Sequence, residues 1–156
     1  MPTTTHFNEM SRLTMDAQEN ALAGLGENLG IALKFDGNDR CLLSVNKKTI
    51  IAIQKQADGF LLQGILADLS DRLDPSFLEK ILALNLLMAR LNKGTMTLSP
   101  KKNAVLLVKT VKGKIDSSHL EIALGDFANS VENLATTLEA DRAAQDSDRI
   151  ATLSFV

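Results

Sequence analysis

The chain has no Trp and no Tyr, one Cys and three Pro in 156 residues. Each shortage removes a class of function. Without Trp or Tyr, the aromatic platforms on which bases and sugars stack are scarce. The lone Cys41 can make no internal disulfide, and with His6 and His119 both distant in sequence it builds no zinc site. No apolar run approaches the roughly 18–20 residues that span a bilayer, so no membrane partner is expected. The opening Met1-Pro2-Thr3-Thr4-Thr5-His6 has neither the basic nor the apolar region of a signal peptide. These features point to a cytoplasmic protein.

Catalytic patterns are equally thin. There is no P-loop and no nucleophile elbow. Gly24-x-Gly26-x-x-x-Gly30 has the wrong last spacing for a dinucleotide loop, and it closes a helix where that loop should open one. His119 falls in a first helical turn, the place of a capping or solvated residue, and Cys41 begins a strand as a buried thiol would. Carboxylates sit on helix surfaces with no apolar pocket to tune one against another. No catalytic residue, metal ligand or cofactor is expected, and the chain does not read as an enzyme.

What is present is ordinary globular material, 45% hydrophobic and 23% charged, of a length for one domain with a real core. Met10, Leu13, Ala17, Ala21 and Leu25 recur at three- and four-residue steps, predicting a helix over residues 8–29 that Gly24 and Gly26 weaken and Gly30 ends. Turns at 36–39, 46–48 and 57–59 separate three β-rich runs, 40–45, 49–54 and 60–66, as in an antiparallel meander. Asp74 and Pro75 then open a helix over 75–92, with Gly94 beyond its end. Residues 95–98 and 104–111 form a hairpin around the 99–103 turn. A last helix starts near Ser117 or Ser118, with Ser118 and Glu121 at capping-box spacing. Leu120, Leu124, Phe127, Val131, Leu134 and Leu138 mark its apolar face. The order is α-β-β-β-α-β-β-α: an α+β fold, a single domain over residues 1–139 with an antiparallel sheet packed by helices, followed by a 140–156 tail whose apolar end is either a strand or flexible.

Several elements are apolar on more than one side. Phe77, Ile81, Leu84, Met88 and Leu91 form one stripe of the middle helix, while Leu78, Leu82, Leu86 and Ala89 form a second. A helix on a small sheet buries one stripe. Three leucines left in water forgo about 5–9 kcal/mol at 1.5–3 each, so a second copy of the chain packed across this helix is the economical cover, with flanking helices of the same chain as the alternative. The strands repeat the pattern: Ile51 and Ile53 oppose Ile50 and Ala52; Phe60, Leu62 and Leu66 oppose Leu61 and Ile65; Val105 and Leu107 oppose Leu106 and Val108. A sheet covered on one face alternates cleanly. This one does not, and exposed apolar patches usually mark interaction sites.

Charge is uneven as well. Net charge is −2, yet Arg90, Lys93, Lys101, Lys102, Lys109, Lys112 and Lys114 fall in a 90–114 segment without a single acid. The acids gather after it, from Asp116 onward. A dimeric nucleic-acid binder or regulatory protein using this basic hairpin is therefore an alternative reading. Against it stand a pI of 5.7 and the lack of interleaved aromatics.

Three stretches then carry a family likeness: Leu25-Gly26-Glu27-Asn28-Leu29-Gly30-Ile31; Cys41-Leu42-Leu43-Ser44-Val45; and Ile81-Leu82-Ala83-Leu84-Asn85-Leu86-Leu87-Met88-Ala89 running on through Gly94-Thr95-Met96-Thr97-Leu98-Ser99-Pro100. With the element order, over about residues 10–138, they resemble the class I type III secretion chaperones, small bacterial proteins that each serve one or a few effectors. The resemblance implies a homodimer joined at Leu78, Leu82, Leu86 and Ala89. It implies a client, the N-terminal segment of an effector, held in extended form and kept soluble and secretion-competent in the bacterial cytoplasm. That segment would add a strand to a sheet edge and fill apolar pockets formed by Leu22, Leu25, Leu29 and Ile31 at the first helix's end, with Leu42, Ile50 and Leu61 on one strand face. The secretion-apparatus ATPase is a further implied partner. The chain is less acidic than many members, and its hairpin is distinctly basic.

Overall fold

The computed structural model describes residues 17–69, 74–101 and 103–154, with side chains through Asp141. Eight elements follow in order: α1 (Ala17–Leu29), β1 (Arg40–Val45), β2 (Thr49–Gln56), β3 (Gly59–Asp68), α2 (Pro75–Arg90), β4 (Thr95–Leu98), β5 (Ala104–Lys112) and α3 (Ser117–Ser154). This is the α-β-β-β-α-β-β-α order read from periodicity. The expected first helix before Ala17, and His6 with it, lie outside the described residues. The strands form one antiparallel sheet in the order β1-β2-β3-β5-β4, so β1 and β4 are its edges.

One face of the sheet is the core. Cys41 and Leu43 of β1, Ile51 and Ile53 of β2, Phe60, Leu62 and Leu66 of β3, and Val105 and Leu107 of β5 are buried there, as period-2 alternation requires. They pack against Leu120, Leu124, Phe127, Val131, Leu134 and Leu138 of α3 and against Ala21, Leu22 and Leu25 of α1. The central strand admits α3 closely because residue 64 has no side chain: a Cβ on Gly64 would lie 2.7 Å from Val131 Cγ2. Overfilling a packed core costs about 1–3 kcal/mol. Gly64→Ala is accordingly expected to lower unfolding stability by that amount in a denaturant melt, and an unchanged midpoint would contradict this packing.

Local chemistry sets the element ends. α1 stops in a Schellman motif: Gly30, at φ 72°, donates to the Glu27 carbonyl at 3.2 Å, and the Ile31 N–H donates to the Gly26 carbonyl at 2.9 Å. Asn46 and Lys47 both adopt left-handed φ, 54° and 60°, the conformation of a primed hairpin turn between β1 and β2. The Asp74 side chain caps α2 by accepting from the Ser76 N–H at 3.2 Å.

Two readings of the C-terminal helix change. Its cap is Asp116, not Ser118: the Asp116 carboxylate accepts from the His119 N–H at 2.9 Å, its carbonyl accepts the first helical bond from Leu120, and His119 Nδ1 lies 2.7 Å from the same carboxylate oxygen. These bonds, led by the His119 N–H, hold the Asp116 carboxyl below the usual carboxylate range. A depressed carboxyl stabilises the fold above its unfolded pKa and loses that contribution on acidification, so this cap weakens only in acid. The helix also runs on past Ala140 to Ser154. Lys80 of α2 pairs with Asp141 of α3, which ties the middle helix to that extension.

Candidate functional site

The two sheet edges are built differently. β4 is closed by α2. Asn85 turns its side-chain amide onto the outer main chain of Met96, its Oδ1 accepting the Met96 N–H at 2.6 Å and its Nδ2 donating to the Met96 carbonyl at 3.0 Å. A carboxamide offers one donor and one acceptor, the pair an adjoining strand would supply. The edge is thereby covered, a usual guard against stray pairing. Sequence reasoning placed Asn85 only within a family-like phrase; a lone amide in an otherwise apolar helix was the available signal.

β1 is open. The Arg40 N–H and carbonyl both engage Asp36, the N–H at 3.0 Å from Asp36 Oδ1 and the carbonyl accepting from the Asp36 N–H at 2.8 Å. Arg40 therefore points its main chain away from β2, and by strand alternation Leu42 and Ser44 do the same. Among the described residues, no main-chain group outside the sheet bonds to either. The bonds from Arg40 and Asn38 hold the Asp36 carboxyl below its ordinary range and fix the turn that starts this edge.

Exposed apolar side chains lie beside β1 on the outer face of the sheet. On the outer face Leu42, Ile50 and Ile65 are 67%, 57% and 59% exposed, and Leu61, Leu106 and Val108 are half-buried. On the core side the chain returns from α1 through residues 31–35. A mostly polar groove of about 330 Å³ lies between Glu19, Asn20, Leu22 and Ala23 of α1 and Leu33, Lys34 and Phe35. Leu29 and Ile31, at the helix end, are also exposed.

The expected pocket is therefore not one pocket. Leu22 and Leu25 are 1% and 0% exposed and belong to the core, because α3 closes over the inner side of α1. Leu29 and Ile31 lie at the core-side end of α1, whereas Leu42, Ile50 and Leu61 point to the opposite face of the sheet.

The middle helix has the two stripes expected of it. Phe77, Ile81 and Met88 are buried and Leu84 is half-buried against the core. Of the second stripe, Leu78 is half-buried, while Leu82, Leu86 and Ala89 face solvent. Leu91 departs from the inner stripe because it forms the C-cap, and together with Leu87 it widens the exposed apolar surface.

No comparable arrangement of reactive groups accompanies these surfaces. Among the described residues, no group of three His, Cys, Asp or Glu could hold a metal ion, and burial pushes the Cys41 thiol above its usual pKa, away from the thiolate. No described helix is long and apolar enough to cross a membrane.

Solved structures share this fold. The HopA1-SchA chaperone-effector complex contains a chain that matches with a TM-score of 0.64 at 18% identity, over 81% of this chain and 97% of its own. A chain of the ExsC-ExsE complex matches with a TM-score of 0.68 at 16% identity, over 81% of this chain and 96% of its own. A chain of the heterodimeric ExoU-SpcU complex, from the type III secretion system of Pseudomonas aeruginosa, matches with a TM-score of 0.58 at 14% identity, over 76% and 98%. The family model of the Tir chaperone proteins matches residues 20–135, which span α1 to the Leu134 turn of α3 and include both sheet edges. The likeness to type III secretion chaperones read from the sequence is borne out, and the chain belongs to the Tir chaperone protein (CesT) family.

Proposed function

We propose that this chain is a cytoplasmic type III secretion chaperone that works as a homodimer and holds the N-terminal segment of one or a few effectors in extended form. One observation carries this reading: among the described residues the outward main-chain groups of Leu42 and Ser44 on the β1 edge have no main-chain partner outside the sheet, and Leu42 and Ile50 beside them are exposed apolar side chains. A strand laid along β1 alternates its side chains by period 2. Alternate client residues would reach Leu42 and Ile50 on the outer face. Main-chain bonds to Leu42 and Ser44 tolerate many sequences, and the alternate pockets choose among them. Chaperone-effector pairing in HopA1-SchA fits the same reading. The exposed stripe of α2 would be covered by the α2 of a second copy, packed isologously.

Ser44→Pro gives a specific test. It deletes one N–H that points away from β2, and proline is tolerated on an edge strand when its nitrogen faces outward. Losing one such bond costs about 0.5–1.5 kcal/mol, up to roughly a tenfold loss of client affinity. Leu42→Asp should add to that loss by removing an apolar contact. If a client captured from cells expressing the secretion system binds both variants as tightly as the parent chain, β1 is not the client edge.

A further inference from the structure

At the end of the sheet opposite β1, the C-terminal end of α2, strand β5 and helix α3 enclose a polar groove of about 390 Å³. Asn92, Lys93, Lys109, Asn129, Ser130 and Asn133 line it. A second groove, of about 410 Å³, shares Asn92 and Lys109 with the first and continues past Gly94 to Thr95 and Thr110. The two together make one trough that turns around the start of β4.

Both lysines line the first groove. A Cβ on Gly94, the residue after Lys93, would lie 3.4 Å from the Lys109 Cβ. Lys109 is half-buried. Among the described residues, neither lysine has an ion pair, and the side-chain amides of Asn92, Asn129 and Asn133 have no hydrogen-bond partner. Asp126 lines the same groove without pairing either lysine. The surrounding segment, 90–114, holds no acid at all. A carboxylate entering the groove would meet both ammonium groups, and charge-assisted bonds are the strong ones. The three amides each offer a donor and an acceptor, which match the alternating N–H and C=O groups of an extended main chain.

We propose that this trough binds an extended, acidic stretch of polypeptide, with Lys93 and Lys109 receiving its carboxylates and Asn92, Asn129 and Asn133 its main chain. Nucleic acid fits less well: Asp126 faces the groove, the chain carries a net charge of −2, and no Trp or Tyr is available to stack on bases. The site rests on no part of the client reading, since it lies at the β5–β4 end of the sheet, away from β1.

The test uses the whole chain and fluorescence anisotropy. At about 20 mM salt, where screening is weak, a labelled peptide of about ten residues alternating Glu and Gly is titrated alongside a Lys–Gly peptide and a single-stranded oligonucleotide of equal length. The acidic peptide should bind best, and its affinity should fall as salt rises. Lys93→Gln should weaken it about threefold and the Lys93→Gln, Lys109→Gln pair more than tenfold, as the loss of one exposed and then of a second, half-buried ion pair allows. Lys93 is exposed, so Lys93→Glu carries the test alone if the pair fails to fold. It should cost about tenfold with an unchanged melting temperature. No binding of the acidic peptide, equal binding by these variants, or tighter binding of the oligonucleotide overturns the proposal. Capture of an effector should be unaltered in the lysine variants, which separates failure here from failure of the client reading.

Discussion

The Leu82→Asp, Leu86→Asp double variant is expected to be a folded monomer at concentrations where the proposed dimer of the parent chain forms. Both side chains are more than half exposed, at 68% and 57%, so the isolated fold loses little when they change. Neighbouring Leu87 and Leu91, at 50% and 52%, extend the patch, whereas Phe77, Ile81 and Met88 beneath keep the helix docked on its own sheet. In an isologous contact each leucine counts twice. Four leucines fully buried contribute about 6–12 kcal/mol. Forfeiting even half, about 3–6 kcal/mol, weakens association by roughly a hundred- to ten-thousand-fold, and the four new carboxylates oppose one another. Sedimentation of both proteins, with a thermal melt to confirm folding, checks the expectation. A double variant that remains dimeric would place the contact elsewhere.

Asn85→Ala is expected to have the second largest effect, of a different kind. Removing the amide leaves the outer N–H and carbonyl of Met96, part-buried between α2 and β4, without the partners now at 2.6 and 3.0 Å. Each orphaned group costs about 1–3 kcal/mol. The variant should therefore melt earlier and exchange the Met96 amide hydrogen faster. It should also gain a tendency to associate through the opened edge. Asn85→Asp keeps an acceptor for the N–H but loses the donor to the carbonyl, so it should fall between the two. If the Met96 amide exchanges equally slowly in all three proteins, Asn85 is not what seals β4.

The parts of this fold that were legible in the sequence are those with a strict period. Alternation separated the two faces of each strand, Ile51 and Ile53 from Ile50, and Phe60 and Leu62 from Ile65; that the first of each set faces the core is set by where the helices pack. The three-and-four spacing of α3 ran without a break from Leu120 to Leu138, and every residue of that series is buried. The twin stripes of α2 were visible for the same reason. Period could not tell which stripe of α1 another helix would cover, so Leu22 and Leu25 read as pocket residues although α3 seals them. Nor does it report which strand ends at an edge. The contrast between an open β1 and a closed β4 depends on strand order and on one side-chain amide, both set by tertiary structure. The cap of α3 was missed because Asp116 and Ser118 are both good capping residues, and only the chain's path past Ile115 selects between them. The polar run after Ala140 looked like a tail because its apolar period lapses, yet the backbone continues as helix.

Native mass measurement, on the purified chain alone and then with an effector's N-terminal peptide, bears most directly on the central claim that this surface exceeds what one subunit can hide. The expected masses are two copies alone, and two copies with one bound peptide. A single copy at high concentration that takes up no unstructured peptide would contradict it.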